Sequence, residues 1–171
     1  MIGKKIQKAF NDQINAELES SYLYLAMAAY CEDQNFSGFA QWFKAQAGEE
    51  LIHAMKFYHH ITERDGRVEL QPIQGPPKKW DSVAAAFKAA YDHECHITGR
   101  INELVKLSNT EKDYPSYSLL QWFVDEQVEE ESSSKTIADR LAMIGDKSIG
   151  ALIFLDKELG KRTFQMPGGG E

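Results

Sequence analysis

Six polar side chains of this 171-residue chain fall where the helical pattern predicts buried apolar residues. Glu17 lies seven residues from both Phe10 and Tyr24, and seven residues make two helical turns, so the three share one face. The same argument applies to the other members of the set. The full set is Glu17, Glu50, His53, Glu94, Gln127 and Glu130. Burying unpaired carboxylates would cost more than the roughly 5–15 kcal/mol that stabilises a domain, so the set predicts bound cations.

The six residues form two groups with equal spacing. The groups are Glu17 with Glu50 and His53, and Glu94 with Gln127 and Glu130. In each group 33 residues separate the first two members, and the last two are three apart and so share a helix face. Oxygen ligands with a single imidazole suit iron(II) or manganese(II), whereas zinc and copper(I) favour thiolates. The spacing predicts two metal positions about 3.5–4 Å apart, with Glu50 as a shared bridge.

The two groups differ in their nitrogen ligands. The first contains His53, whereas the second presents Gln127 and Glu130 without an imidazole. We therefore expect the second ion to bind more weakly, which favours an ion in transit over a permanent cofactor. Tyr24 lies on the same stripe as Glu17, and we expect its buried hydroxyl to donate a hydrogen bond to a ligand.

Three further acids lie beside these ligands in the sequence: Glu49, Glu126 and Glu129. A charge run of this kind is usually a solvated helix face, but these three could also form an accessory cation site. Both interpretations stay open from the residues alone. His93 and His96 lie off the inward stripe, and we expect them at the surface or at an interface.

Amphipathic helices must position these side chains, because apolar residues recur at three-to-four spacing through most of the chain. We predict helices at about residues 5–33, 37–65, 81–109, 115–144 and 147–160. Ser37 is expected to cap the second helix, Pro115 to lie in the first turn of the fourth, and Gly145-Asp146 to end the fourth and cap the fifth.

A proline-rich segment at residues 67–80 separates the second and third helices and cannot be helical. It is long enough to run the full length of a bundle, which would make the helices that it joins parallel. The prediction is an all-α fold: an up-down-down-up four-helix bundle with one long crossover and a short fifth C-terminal helix. We expect one domain at residues 1–163 and a flexible tail at 164–171.

The composition and net charge limit the functional classes to which the chain can belong. A net charge of −7 argues against a general nucleic-acid-binding protein. We find no secretory signal and no run approaching the ~20 apolar residues of a membrane span. Cys31 and Cys95 are expected to be reduced thiols of a cytoplasmic protein.

The chain resembles the prokaryotic non-haem ferritins in residues 15–25, 49–56 and 123–131, in its Pro76-Pro77 crossover and in its terminal helix. This resemblance implies a ferritin-like bundle whose ferroxidase centre holds two irons on the six residues above. It also implies a third iron on Glu49, Glu126 and Glu129 with Glu130. The implied activity is oxidation of iron(II) by oxygen or peroxide, followed by storage as a ferric mineral. The implied assembly is a shell of twenty-four subunits built from dimers, with pores lined by the fifth helix.

The haem-binding bacterioferritins are similar but differ at two places. They have a methionine directly after the equivalent of Glu50, where this chain has Leu51, and Met55 is one helical turn away. They also carry Glu-x-x-His where this chain has Gln127 and Glu130. We therefore expect no haem.

Two other functions compete with iron storage. One is a di-iron peroxidase or oxygenase that turns over a small substrate without storing mineral. The other is a structural helical assembly whose carboxylates are neutralised by protons or by other cations.

Overall fold

The computed structural model describes residues 1–145 and 148–164, which form five helices and no strand. The helices are α1 (Lys4–Asp33), α2 (Ser37–Thr62), α3 (Val83–Thr110), α4 (Tyr114–Ile144) and α5 (Ile149–Leu159). The predicted all-α architecture is confirmed, and the helix ends differ from the prediction by at most three residues. None of these helices combines the length and the apolar character that crossing a bilayer requires.

Two antiparallel hairpins make up the bundle, since α1 packs mainly on α2 and α3 mainly on α4. Hydrogen bonds between the hairpins join Ser20 to His93 and Gln13 to Arg100. Residue numbers therefore rise along α3 as they fall along α1, so these two helices are antiparallel. It follows that α2 and α3 are parallel, as the up-down-down-up prediction requires.

The crossover between α2 and α3 runs along the outside of α1. Near its start, the buried Asn11 side chain accepts from Glu69 N at 2.8 Å and donates to Arg67 O at 3.0 Å. Near its end, the Trp80 ring packs on Tyr30 with 5.4 Å between ring centroids. Both ends of the crossover thus contact α1, because the crossover is about as long as this helix.

The N-terminus of α2 corrects one prediction. Ser37 does not cap this helix: Phe36 is the N-cap residue, without a side-chain cap bond, and Ser37 is the first helical residue. The free Phe39 N–H instead donates to Asp156 Oδ1 of α5 at 2.8 Å. A cap supplied by a residue 117 positions away cannot be read from local sequence. Ser82 is the N-cap residue of α3, where its Oγ accepts from Ala85 N at 3.0 Å, and Pro115 lies in the first turn of α4 as expected.

The end of the chain is described only in part. Asp146, the predicted cap of α5, and residues 165–171 lie outside the described residues. Phe164, which the sequence assigns to the tail, lies against Gly48 of α2. The domain boundary at residue 163 stays a prediction.

The apolar core has two parts. One part contains Phe43 and Phe87, whose rings stack 4.4 Å apart, and the other contains Phe57 and Phe123, stacked at 4.3 Å. On each long helix the candidate ligands fall between the residues that belong to these two parts. The bundle therefore has a polar layer across its middle, enclosed by aromatic packing on both sides.

We predict that Gly38→Ala loosens α5. A Cβ at Gly38 would overlap the Asp156 backbone, so α5 must move and the Phe39 N–H loses its cap. Hydrogen exchange of residues 149–159 should accelerate and the Tm should fall. Gly99→Ala on α3 is the matched control: its Cβ meets nothing within 4 Å, and alanine should stabilise the helix by about 0.5–1 kcal/mol. Unchanged exchange of α5 in Gly38→Ala would contradict this prediction.

Candidate metal centre

The structure brings the predicted ligands together inside the bundle. All six are at most 7% exposed, and they come from all four long helices. The groups Glu17/Glu50/His53 and Glu50/Glu94/Glu130 each place three ligand atoms within 4.8 Å of one another. Glu50 belongs to both groups, so it lies where a bridging ligand would have to be. This geometry fits two adjacent divalent cations held mainly by oxygen.

Hydrogen bonds orient the second group. The fully buried Tyr24 hydroxyl donates to Glu94 Oε1, which is the contact expected from its position on the stripe. Gln127 Nε2 donates to Glu94 Oε2 at 3.3 Å and to Thr98 Oγ1 at 3.2 Å. Gln127 therefore contacts a ligand directly, and its role as a ligand itself stays a prediction.

Burial and mutual repulsion raise the pKa values of the carboxyl groups at this centre. Burial raises the pKa of Glu50 well above its usual range, and the charges of Glu94 and Glu17 raise it further. Burial likewise raises the pKa of Glu130 well above normal, with the charge of Glu50 next. The pKa of Glu94 is also raised by burial, although the Tyr24 hydroxyl opposes this.

Two oxygen atoms at this centre have no hydrogen-bond partner. They are Glu17 Oε2 and Glu130 Oε2, both buried. Buried carboxylate oxygens are normally paired, so an unpaired one indicates a partner that protein atoms do not supply. One such oxygen lies in each group, as two metal positions would require.

The three acids that lie beside the candidate ligands in the sequence have different surroundings. Glu126 joins His53 and Glu130 in a third group of possible ligands. Glu49 Oε2 instead accepts from Arg162 Nη2, and Glu129 is exposed. Burial raises the pKa of Glu49, while the Arg162 charge lowers it. The third cation site on these acids therefore stays a prediction, and Glu49 would have to exchange its arginine partner for a metal.

His96 is exposed as expected, whereas His93 is half-buried, and its place at a subunit interface stays a prediction. His93 Nε2 lies 2.7 Å from Ser20 Oγ, and its ring meets the Tyr24 ring edge-on at 5.8 Å. Burial lowers the pKa of His93 to about 4, with the nearby His96 contributing. Neutral His93 thus packs against Tyr24, whose hydroxyl donates a hydrogen bond to Glu94. The two cysteines are free, with Cys31 buried and Cys95 exposed.

Four residues that contact the candidate ligands, directly or through another of the four, were not predicted from the sequence: Gln13, Gln46, Arg100 and Arg162. The two glutamines are almost fully buried and donate to Glu17 and Glu130. A local signal was available, because each glutamine lies four residues before a ligand on its own helix. The arginines gave no such signal.

We predict that metal binding releases protons at mildly acidic pH. The raised carboxyl pKa values mean that above pH 4.5 the metal-free native state holds protons that the unfolded chain has lost. Stability from this source is therefore present at low pH and lost as pH rises through the raised values. Carboxyl groups must lose their protons to bind a metal ion, so binding Zn²⁺ in weak buffer at pH 6 should release protons.

Glu50→Gln should release fewer protons than the wild type, because it removes one titrating group and its repulsion of Glu130. Glu103→Gln, an exposed acid on α3, is the control and should match the wild type. Equal release from Glu50→Gln and the wild type would contradict the prediction.

Known proteins share this fold and chain length. A Ferritin-like domain profile matches residues 7–144. The bacterial non-heme ferritin of Staphylococcus aureus (strain USA300) is 41% identical over 164 residues, covering 96% of this chain and 98% of the relative. The counterpart from Staphylococcus haemolyticus is 40% identical with the same coverage.

Solved structures agree with these relatives. An engineered closed form of Archaeoglobus fulgidus ferritin is 48% identical, with a TM-score of 0.94 over 96% of this chain and 100% of the other. The open-pore ferritin of the same archaeon has a TM-score of 0.93 over 95% of this chain, again at 48% identity. With its carboxylate-lined centre and these relatives, the chain belongs to the ferritin family.

Proposed function

We propose that this protein oxidises iron(II) to iron(III) at the centre described above and stores the product as a ferric mineral. The observation that carries the proposal is the pair of adjacent ligand groups that share Glu50 and each end in an unpaired buried oxygen. The relatives named as non-heme ferritins support the assignment. We further propose that iron is the substrate, with no haem, and that the protein acts in the cytoplasm.

The chemistry needs two ions at once. Each iron(II) gives up one electron, so a bound pair supplies the two electrons that reduce O₂ to H₂O₂ with two protons, or H₂O₂ to two waters. Glu50 lies between the positions and would hold the ions at the short separation that this requires. Carboxylate ligands favour the product, because the higher charge of iron(III) is better neutralised by hard anionic oxygens.

The difference between the two ligand groups suits turnover of a substrate. One group contains the His53 imidazole, whereas the other consists of the carboxylates of Glu50, Glu94 and Glu130. We propose that the second iron binds more weakly and leaves after oxidation. The exit would pass Glu126, which lies within ligand distance of Glu130 and is only half-buried.

A cage assembly is the second part of the proposal. Large apolar side chains stay exposed on the outer faces of α1 and α2, namely Tyr22, Leu25, Leu51, Met55 and Tyr58. The crossover adds Leu70 and Ile73, and α5 adds Ile149, Ile153 and Phe154. Exposed apolar surface of this extent is typical of subunit contacts. We propose a shell of twenty-four chains built from dimers, with α5 lining pores.

Replacing Glu50 or His53 by alanine should abolish rapid iron oxidation. Either change removes a ligand from the first position, and Glu50→Ala removes the bridge as well, so the initial rate should fall by about a hundredfold. The measurement is aerobic stopped-flow absorbance of ferric product. Glu103→Ala is the exposed control and should retain the wild-type rate.

An aerobic iron(II) titration, together with these rates, separates the competing functions. A mineral store takes up far more than two irons per chain and forms an electron-dense core. Saturation at two irons would favour a di-iron peroxidase or oxygenase, and an unchanged rate in Glu50→Ala would favour a purely structural assembly.

The wild type should elute from a size-exclusion column as one very large particle. Leu25→Glu should shift it toward smaller species, because a carboxylate at this half-exposed position would be buried unpaired in the subunit contact. Leu25→Met keeps the apolar character and should leave the particle intact. If Leu25→Glu elutes at the same volume as the wild type, this face is not part of the subunit contact.

A further inference from the structure

A chain of hydrogen bonds reaches Glu17 from the side of α3. Arg100 Nε donates to Gln13 Oε1 at 2.9 Å, and Gln13 Nε2 donates to Glu17 Oε1 at 2.9 Å. The arginine is fixed in turn, because its Nη2 donates to Asp12 O at 3.0 Å. We call Arg100, Gln13 and Glu17 the first relay.

A second chain of the same composition reaches Glu130. Arg162 Nη1 donates to Gln46 Oε1 at 2.9 Å, and Gln46 Nε2 donates to Glu130 Oε1 at 2.9 Å. A longer contact of 3.5 Å joins Gln46 Nε2 to Glu50 Oε1. We call Arg162, Gln46 and Glu130 the second relay. The two relays share no residue and come from different parts of the chain.

The second arginine is also held in place. Arg162 pairs with Glu49, and its guanidinium lies 4.7 Å from the centroid of the Trp42 ring. Its backbone oxygen accepts from Gln41 Nε2 at 3.2 Å. Arg162 follows α5 directly, so this relay ties the C-terminal segment to the metal centre.

Each arginine fixes the direction of its relay. A guanidinium has only N–H donors, so the glutamine must turn its oxygen toward the arginine and its NH₂ toward the carboxylate. Gln13 and Gln46 are 1% and 3% exposed, so water does not compete strongly for these contacts.

Each relay occupies one carboxylate oxygen and leaves the other unpaired. The bonded atoms are Glu17 Oε1 and Glu130 Oε1, and the unpaired buried atoms are Glu17 Oε2 and Glu130 Oε2. Among the described residues only three buried side-chain polar atoms lack a partner, and two of them end the relays. The relays therefore hold each carboxylate so that one oxygen is free for a metal.

We propose that the two relays are positioning devices that set the affinities of the two metal positions separately. Arg100 and Gln13 position Glu17 for the Glu17/Glu50/His53 group, and Arg162 and Gln46 position Glu130 for the Glu50/Glu94/Glu130 group. This proposal rests on the proposed function, since it takes both groups to be metal positions. It makes the C-terminal segment a determinant mainly of the second position, because the contact of Gln46 with Glu130 is shorter than its contact with the shared Glu50.

The test replaces one arginine at a time in the full-length protein and uses Co²⁺ as the probe. Calorimetric titration gives the affinities, and cobalt anomalous scattering from crystals at limiting Co²⁺ gives the occupancy of each position. Arg100→Met should weaken the Glu17/Glu50/His53 position by about ten- to a hundredfold and leave the other position unchanged. Arg162→Met should weaken mainly the Glu50/Glu94/Glu130 position. Arg100→Lys and Arg162→Lys should restore part of each loss, because an ammonium can donate to the glutamine oxygen.

Arg140→Met is the matched control, because Arg140 bridges α4 to Glu158 on the surface and touches neither relay. If a methionine variant does not fold, Gln13→Asn and Gln46→Asn test the same point, since each shortens its relay by one methylene. Equal weakening of both positions by one variant, or no change in either, would overturn the proposal. Failure of the wild type to bind Co²⁺ would instead overturn the proposed function.

Discussion

The repulsion among buried carboxylates is the constraint on which this structure depends. Glu17, Glu50, Glu94 and Glu130 are enclosed by apolar packing, and burial raises the pKa of each. Four such groups do not stabilise a fold by themselves. The free energy lost by desolvating each charge exceeds the free energy gained from its neighbours unless a cation is bound. Bound cations would offset this repulsion.

The rest of the bundle limits the cost of this repulsion. Aromatic clusters on both sides of the polar layer supply the apolar burial that the layer lacks. Long helices keep the ligands on rigid elements, so the unpaired oxygens of Glu17 and Glu130 stay in place without a metal. The two arginines bring positive charge to the edge of the centre while staying partly in contact with solvent. The arginine guanidinium groups thus act on the carboxylates through the hydrogen bonds of the glutamine amides.

The sequence predicts which polar side chains gather inside the bundle, because their spacing and helical period are local properties. The six residues, the crossover and the helix order all follow from patterns within about thirty residues. Contacts between distant segments do not follow from such patterns: Asp156 replaces Ser37 as the cap of α2 across 117 positions, and Arg162 reaches Gln46 across 116. The half-burial of His93 likewise does not follow from local patterns, because it depends on how α1 and α3 pack.

The most direct measurement of the central claim is an iron-edge anomalous map from crystals soaked anaerobically in iron(II). It should show two peaks about 3.5–4 Å apart, one against Glu17, Glu50 and His53 and one against Glu50, Glu94 and Glu130. The second peak should have the lower occupancy at limiting iron. A map with no peak between these side chains, from crystals that diffract as well as the unsoaked ones, would contradict the account.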